Sequence, residues 1–141
     1  MTGVWALLAA LAVVAVIGVA LRARDGRVRA ARPGERLPEP VRDLLDGYTP
    51  VTLVQISTSF CATCGRTRAL LEDLARGTDG LRHVELDVTD LPEVAADLGV
   101  LRAPTTLAFD PAGVELLRVG GIPKPDALVA ALRPHLGQPI G

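Results

Sequence analysis

The predicted elements run strand, helix, strand, helix, strand, strand, helix, an order that argues for an α/β fold with a mixed sheet covered by helices. Two further observations frame this reading. Nineteen consecutive residues without a charge, Gly3 to Leu21, precede the region as a segment of membrane-spanning length, and a Cys61/Cys64 pair marks the point where the first strong strand gives way to the first long helix. At 141 residues the chain has room for one domain of ordinary size and one appendage.

The apolar segment comes first. As a helix rising about 1.5 Å per residue it spans roughly 28 Å, close to the hydrocarbon thickness of a bilayer. Trp5 suits the headgroup interface. No charged side chain precedes the stretch, as a cleaved signal would require, so a single transmembrane helix over residues 1–22 is expected, in contact with lipid through residues 3–21. Arg22, Arg24, Arg27, Arg29, Arg32 and Arg36 all follow it, which predicts a cytoplasmic side for everything downstream. Residues 23–47, rich in Arg and Pro, read as an extended juxtamembrane tether, with one or two helical turns over Val41–Leu45 closed by Gly47.

The domain is expected over residues 48–138. Val51–Ser57 is β-rich and apolar on both faces, as a central strand requires. Leu70, Leu71 and Leu74 recur at helical spacing within Thr67–Ala75, and Gly77 lies just beyond. His83–Val88 follows as a strand and Pro92–Leu98 as a short helix ended by Gly99. Thr105–Phe109 and Val114–Val119 flank the turn Asp110-Pro-Ala-Gly113 as paired strands. Asp126 is placed to cap a last helix carrying Leu128, Val129 and Leu132, which Pro134 should close.

Composition excludes several classes. Fifteen basic and sixteen acidic residues leave a net charge of −1, against a dedicated nucleic-acid binder. The balance is uneven, however. Residues 22–36 carry six arginines against two acids, whereas the rest carries nine basic and fourteen acidic residues. With 49% hydrophobic residues the chain is too apolar to stay disordered. Two cysteines are too few for a disulfide-stapled mini-protein or a four-thiolate zinc site.

Chemistry is concentrated in Phe60-Cys61-Ala62-Thr63-Cys64. Two cysteines three apart on a first helical turn can close one disulfide, and the unpaired N–H groups there favour a thiolate at the first. Beside βα units this reads as a redox dithiol, with a zinc half-site or a pair of inert thiols as the alternatives. Zinc would have to recruit His83 and His135, which stand on separate elements far from ligand spacing and read as surface or helix-end residues; no metal or other cofactor is expected. Arg66 and Arg68 follow the pair, either lowering the Cys61 pKa or simply solvated.

The region 48–136 resembles the thioredoxin family. Val51–Ser57 running into Cys61-Ala-Thr-Cys64 is similar to that family's strand-to-helix active site, Val100-Leu-Arg-Ala-Pro104-Thr-Thr to its cis-proline segment, Asp110–Gly113 to its hairpin turn, and Val119-Gly120-Gly121 to the glycine before its last helix. The anchor makes the chain look like the membrane-tethered bacterial members. The resemblance implies a thioredoxin-like mixed sheet and thiol–disulfide exchange, with Cys61 as the exposed nucleophile and Cys64 as the more buried resolving thiol. It also implies a cis Pro104, and substrate contacts from Phe60, the Ala103 backbone, Pro104 and Gly120. Partners would be disulfide-containing proteins and an electron donor that the sequence does not identify.

Two departures from the family pattern bear on mechanism. The inner proline of the family's dithiol motif is absent, which offers Thr63 as a hydroxyl near the sulfurs. The buried acid six residues before the first cysteine is Gln55, which cannot titrate. Glu85, on the adjacent strand, is either a displaced proton relay or a solvated strand-face carboxylate. The expected function is therefore a membrane-anchored oxidoreductase reducing protein disulfides. A binding module without turnover and an outward-facing enzyme of disulfide handling or cytochrome maturation are the rivals.

Overall fold

A single five-stranded mixed sheet organises the computed structural model, which describes residues 1–30 and 37–136. The elements in chain order are α1 (Thr2–Arg24), β1 (Val28–Ala30), α2 (Glu39–Arg42), β2 (Val51–Ser57), α3 (Cys64–Gly77), β3 (Leu81–Asp87), α4 (Pro92–Leu98), β4 (Thr105–Phe109), β5 (Glu115–Gly120) and α5 (Pro125–Leu136). The strand order is β1-β5-β4-β2-β3, with β2 and β3 parallel and the other pairs antiparallel. This is the mixed, helix-flanked sheet that the element order predicts.

Alternation along β2 explains why it is central. Val51 and Leu53 join Leu71 of α3 and Leu128 and Leu132 of α5 in one core layer. Val54 and Ile56 point the other way, into a second layer with Val41 of α2 and Val94 and Leu98 of α4. All seven β2 residues are buried as a result. Gln55 belongs to the first face by parity, so a polar side chain lies beneath α3.

Local signals account for the helix ends. Pro92 opens α4, and Gly99 at φ 67° closes it in the left-handed conformation, its N–H reaching the Ala95 and Ala96 carbonyls. Asp110 organises the β4–β5 turn by accepting from the Ala112 and Val114 N–H groups, each at 2.9 Å.

Four expectations are corrected. The tether is not extended throughout: Val28–Ala30 pairs antiparallel with β5, Val28 opposite Val119, so the sheet starts well before residue 48. The last helix begins at Pro125, which places Asp126 inside the first turn rather than at the cap. It also continues through Pro134 to Leu136, because a proline two residues from the end forfeits only one intrahelical bond. His83 is half-buried on β3 rather than a surface residue. The rest of the expected tether over 31–36, with Arg32 and Arg36, and the chain beyond Leu136 lie outside the described residues.

Helix α1 has no buried residue and is long and apolar enough to cross a membrane. Its C-terminal end is fitted to the domain. The Asp25 carboxylate meets Arg102 at 2.8 Å, and the Gly26 N–H donates to the Gly120 carbonyl at 2.8 Å. Gly26 has φ +74°, and a Cβ there would lie 2.3 Å from the Ile122 carbonyl oxygen, so glycine is required at this joint.

Candidate active site

The loop from β2 to α3 is braced before it reaches the cysteines. Asp87, at the end of β3, accepts from the Thr89 N–H at 2.9 Å and from the Thr89 hydroxyl. The Thr89 hydroxyl oxygen in turn accepts from the Ser59 N–H at 2.8 Å. These Thr89 bonds hold the Asp87 carboxyl below its ordinary value. The Cys61 N–H closes the loop onto the Thr58 carbonyl.

Cys61 and Cys64 are joined in a disulfide, with their Cα atoms 5.5 Å apart. Helix α3 begins at Cys64 rather than at Cys61, so the first cysteine stands outside the helix, ahead of Thr63 at the N-cap. The bond to Cys64 nevertheless holds the Cys61 sulfur at the start of α3. The two sulfurs are unequal in access: Cys64 is 4% exposed, while Cys61 is partly open to solvent. Thr63 takes the predicted place near the pair, its hydroxyl 3.9 Å from the Cys61 sulfur.

Beneath the disulfide lies a polar chain. Gln55, fully buried, donates from Nε2 to the Cys64 carbonyl at 2.9 Å. Its Oε1 is 3.0 Å from His83 Nε2. The Thr67 and Thr106 hydroxyls are also buried on this face, without a partner among the described residues. Thr106 is the register partner of Gln55 on β4. Burial pushes the His83 pKa below 6.5; Glu72 and Glu85 oppose that shift and Arg68 adds to it.

Glu85, the register partner of Gln55 on β3, points to α3 and receives both Arg68 Nη2 at 2.8 Å and Arg68 Nε at 3.0 Å. That ion pair raises the Arg68 pKa. Arg66 is exposed. The titratable side chain bonded to Gln55 is therefore His83, which sequence reasoning passed over. A signal was present: Glu85 beside Gln55 implies, by strand alternation, that His83 faces the same way.

The Ala103–Pro104 peptide is cis. Ala103 lies just outside the β4 ladder, and the Pro104 carbonyl accepts from the Gly121 N–H at 2.8 Å. Phe60, 91% exposed, and Ala103 line one shallow, largely apolar groove of about 540 Å³ with Ile56, Pro92, Val100 and Leu101. Gly120 is brought to the same loop as the register partner of Thr105. It is covered by Arg102, whose Nη2 lies 2.9 Å from where a Cβ would stand. Among the described residues no cluster of three or more His, Cys, Asp or Glu side chains forms a metal site.

No family model matches the chain. Among known proteins it is 33% identical over 93 residues to a thioredoxin of Aspergillus fumigatus, covering 64% of this chain and 82% of that protein. It is 31% identical over 87 residues to the thioredoxin of Staphylococcus saprophyticus, covering 61% of this chain and 83% of the relative. Solved structures agree in fold. A mutant thioredoxin from Halobacterium salinarum superposes with a TM-score of 0.62 at 24% identity, over 77% of this chain and 97% of that one. A thioredoxin from Nicotiana alata gives 0.57 at 22% identity, over 76% and 95%.

Proposed function

Since the chain belongs to the thioredoxin family of thiol–disulfide oxidoreductases, we propose that its Cys61–Cys64 pair reduces protein disulfides from a membrane-anchored position with the domain on the cytoplasmic side. The observation that carries the redox reading is the disulfide itself, with one sulfur accessible and the other buried.

In the reduced pair, the Cys61 thiolate attacks a substrate disulfide, forming a Cys61–substrate bond and releasing one substrate sulfur as a thiolate. Cys64 then loses its proton and attacks the Cys61 sulfur. The Cys61–Cys64 bond forms, the second substrate sulfur leaves, and two electrons have passed from the protein dithiol to the substrate. An electron donor, itself a dithiol or a reductase, returns the pair to its starting state. The groove of Phe60 and Ala103 receives the extended substrate segment, with Pro104 and Gly120 bordering it. Their difference in burial supports Cys61 as the nucleophile and Cys64 as the resolving thiol. Anchoring is supported by the uncharged run of α1, and sidedness by the arginines that follow it.

The test is capture in cells. Cys64→Ser removes the resolving thiol, so mixed disulfides should accumulate, sediment with membranes, dissolve with reductant and be absent when Cys61→Ser is added. Failure to capture any protein, together with wild-type inability to reduce a protein disulfide, favours a binding module without turnover. Digestion of residues 40–141 by protease added outside intact cells overturns the cytoplasmic side and favours the outward-facing enzyme.

A further inference from the structure

We propose that His83 is a positioning residue of the dithiol, coupled through the Gln55 amide to Cys64, so that its ionisation and the redox state of the pair influence one another. Gln55 fixes the geometry. A backbone carbonyl can only accept, so the contact with Cys64 O identifies the amide nitrogen, and the amide oxygen is left facing His83. That oxygen also only accepts. His83 Nε2 therefore carries hydrogen whether the ring is neutral or charged, and Nδ1 is the atom that gains or loses the proton. The bond keeps the ring in place in both states.

The charged side chains facing the imidazole are Arg68 and Glu72 from α3 and Glu85 from its own strand. Burial outweighs the two carboxylates and favours the neutral ring. The dithiol supplies a charge that varies. Reduction of Cys61–Cys64 by an external dithiol takes two electrons. It takes two protons if both sulfurs end as thiols, and one where Cys61 remains a thiolate. The disulfide bears no charge, whereas the thiolate form is negative and favours the imidazolium. By reciprocity, a protonated His83 favours the reduced pair.

The inference rests on the pair being cycled, and the experiment separates the two claims. In the full chain in detergent micelles, imidazole proton resonances are followed against pH in the oxidised state and after reduction with dithiothreitol. His135, the other histidine, is exposed at the end of α5 and serves as the control, assigned with His135→Gln. The expected result is a His83 midpoint higher by about half a unit or more in the reduced protein, with His135 unmoved. The pH dependence of the reduction potential should change slope between the two His83 midpoints in the wild type and lose that change in His83→Gln. Equal His83 midpoints in both states overturn the proposal, and this arm needs no variant of His83. A pair that dithiothreitol cannot reduce overturns the oxidoreductase reading as well.

Discussion

Gln55 reaches across from the central strand to the Cys64 carbonyl, 2.9 Å away, and so ties the buried cysteine to the middle of the sheet. The amide is a fixed donor that cannot titrate. Its other end is fixed in turn by His83, so the pair cannot reorient without leaving a buried polar group unmatched.

Gln55→Leu should therefore destabilise the oxidised protein by about 1–3 kcal/mol, the cost of leaving the half-buried His83 N–H without its acceptor. Denaturant unfolding of the wild type and variant measures this. A change below about 0.5 kcal/mol shows that water replaces the amide at no cost.

Acid should weaken the fold in two separate ranges. The folded His83 pKa lies below the unfolded value of 6.5, so its contribution is complete above 6.5 and is lost as pH falls from there toward the folded value. Asp46 is held below 3.8 chiefly by the Thr49 hydroxyl and N–H, and Asp87 by the corresponding groups of Thr89. Their contributions are lost only in stronger acid. Thermal unfolding against pH should show the upper loss in the wild type and not in His83→Gln. Stability that rises on acidification below 6.5 contradicts the assignment.

Both oxygens of Glu85 are engaged by Arg68, and the side chain bonded to Gln55 is His83 rather than Glu85. A carboxylate that accepts the Cys64 proton contributes on the order of a hundredfold to its step. Glu85→Gln is expected instead to change resolution of a mixed disulfide by less than about threefold, far short of that. Stopped-flow resolution of a mixed disulfide on Cys61 decides this, and a hundredfold loss returns the relay to Glu85.

Gly26→Ala should undock the start of the domain. The new Cβ would meet the Ile122 carbonyl, at a backbone angle that side chains rarely adopt, and β1 would lose its place against β5. Arg27 and Arg29 should then become trypsin-sensitive while the disulfide still forms. Unchanged cleavage at those two sites contradicts the fitted joint.

Much of this architecture was legible because it is local. β2 is a run of apolar and β-branched residues, α4 is bounded by Pro92 and Gly99, and the β4–β5 turn is written in Asp110–Gly113. What escaped depends on distant partners. β1 is three residues long in an Arg-rich segment and exists because β5 offers Leu117 and Val119 to pair with. The environment of His83 depends on parallel register between β2 and β3, which places Gln55 next to a residue 28 positions away. At the site the dithiol was plain, but the start of α3 at Cys64 was not, because the N-cap residue Thr63 lies inside the dithiol motif and makes no side-chain capping bond.

In the proposed reaction Cys61 and Cys64 transfer two electrons to a protein disulfide. A single-turnover thiol count on the fully reduced full chain, mixed with a disulfide-bonded protein, tests it most directly. Two new substrate thiols are expected for each Cys61–Cys64 disulfide formed, with a stalled mixed disulfide in Cys64→Ser and neither in Cys61→Ser. A pair that stays reduced while the substrate disulfide persists, or equal reaction in Cys61→Ser, contradicts it.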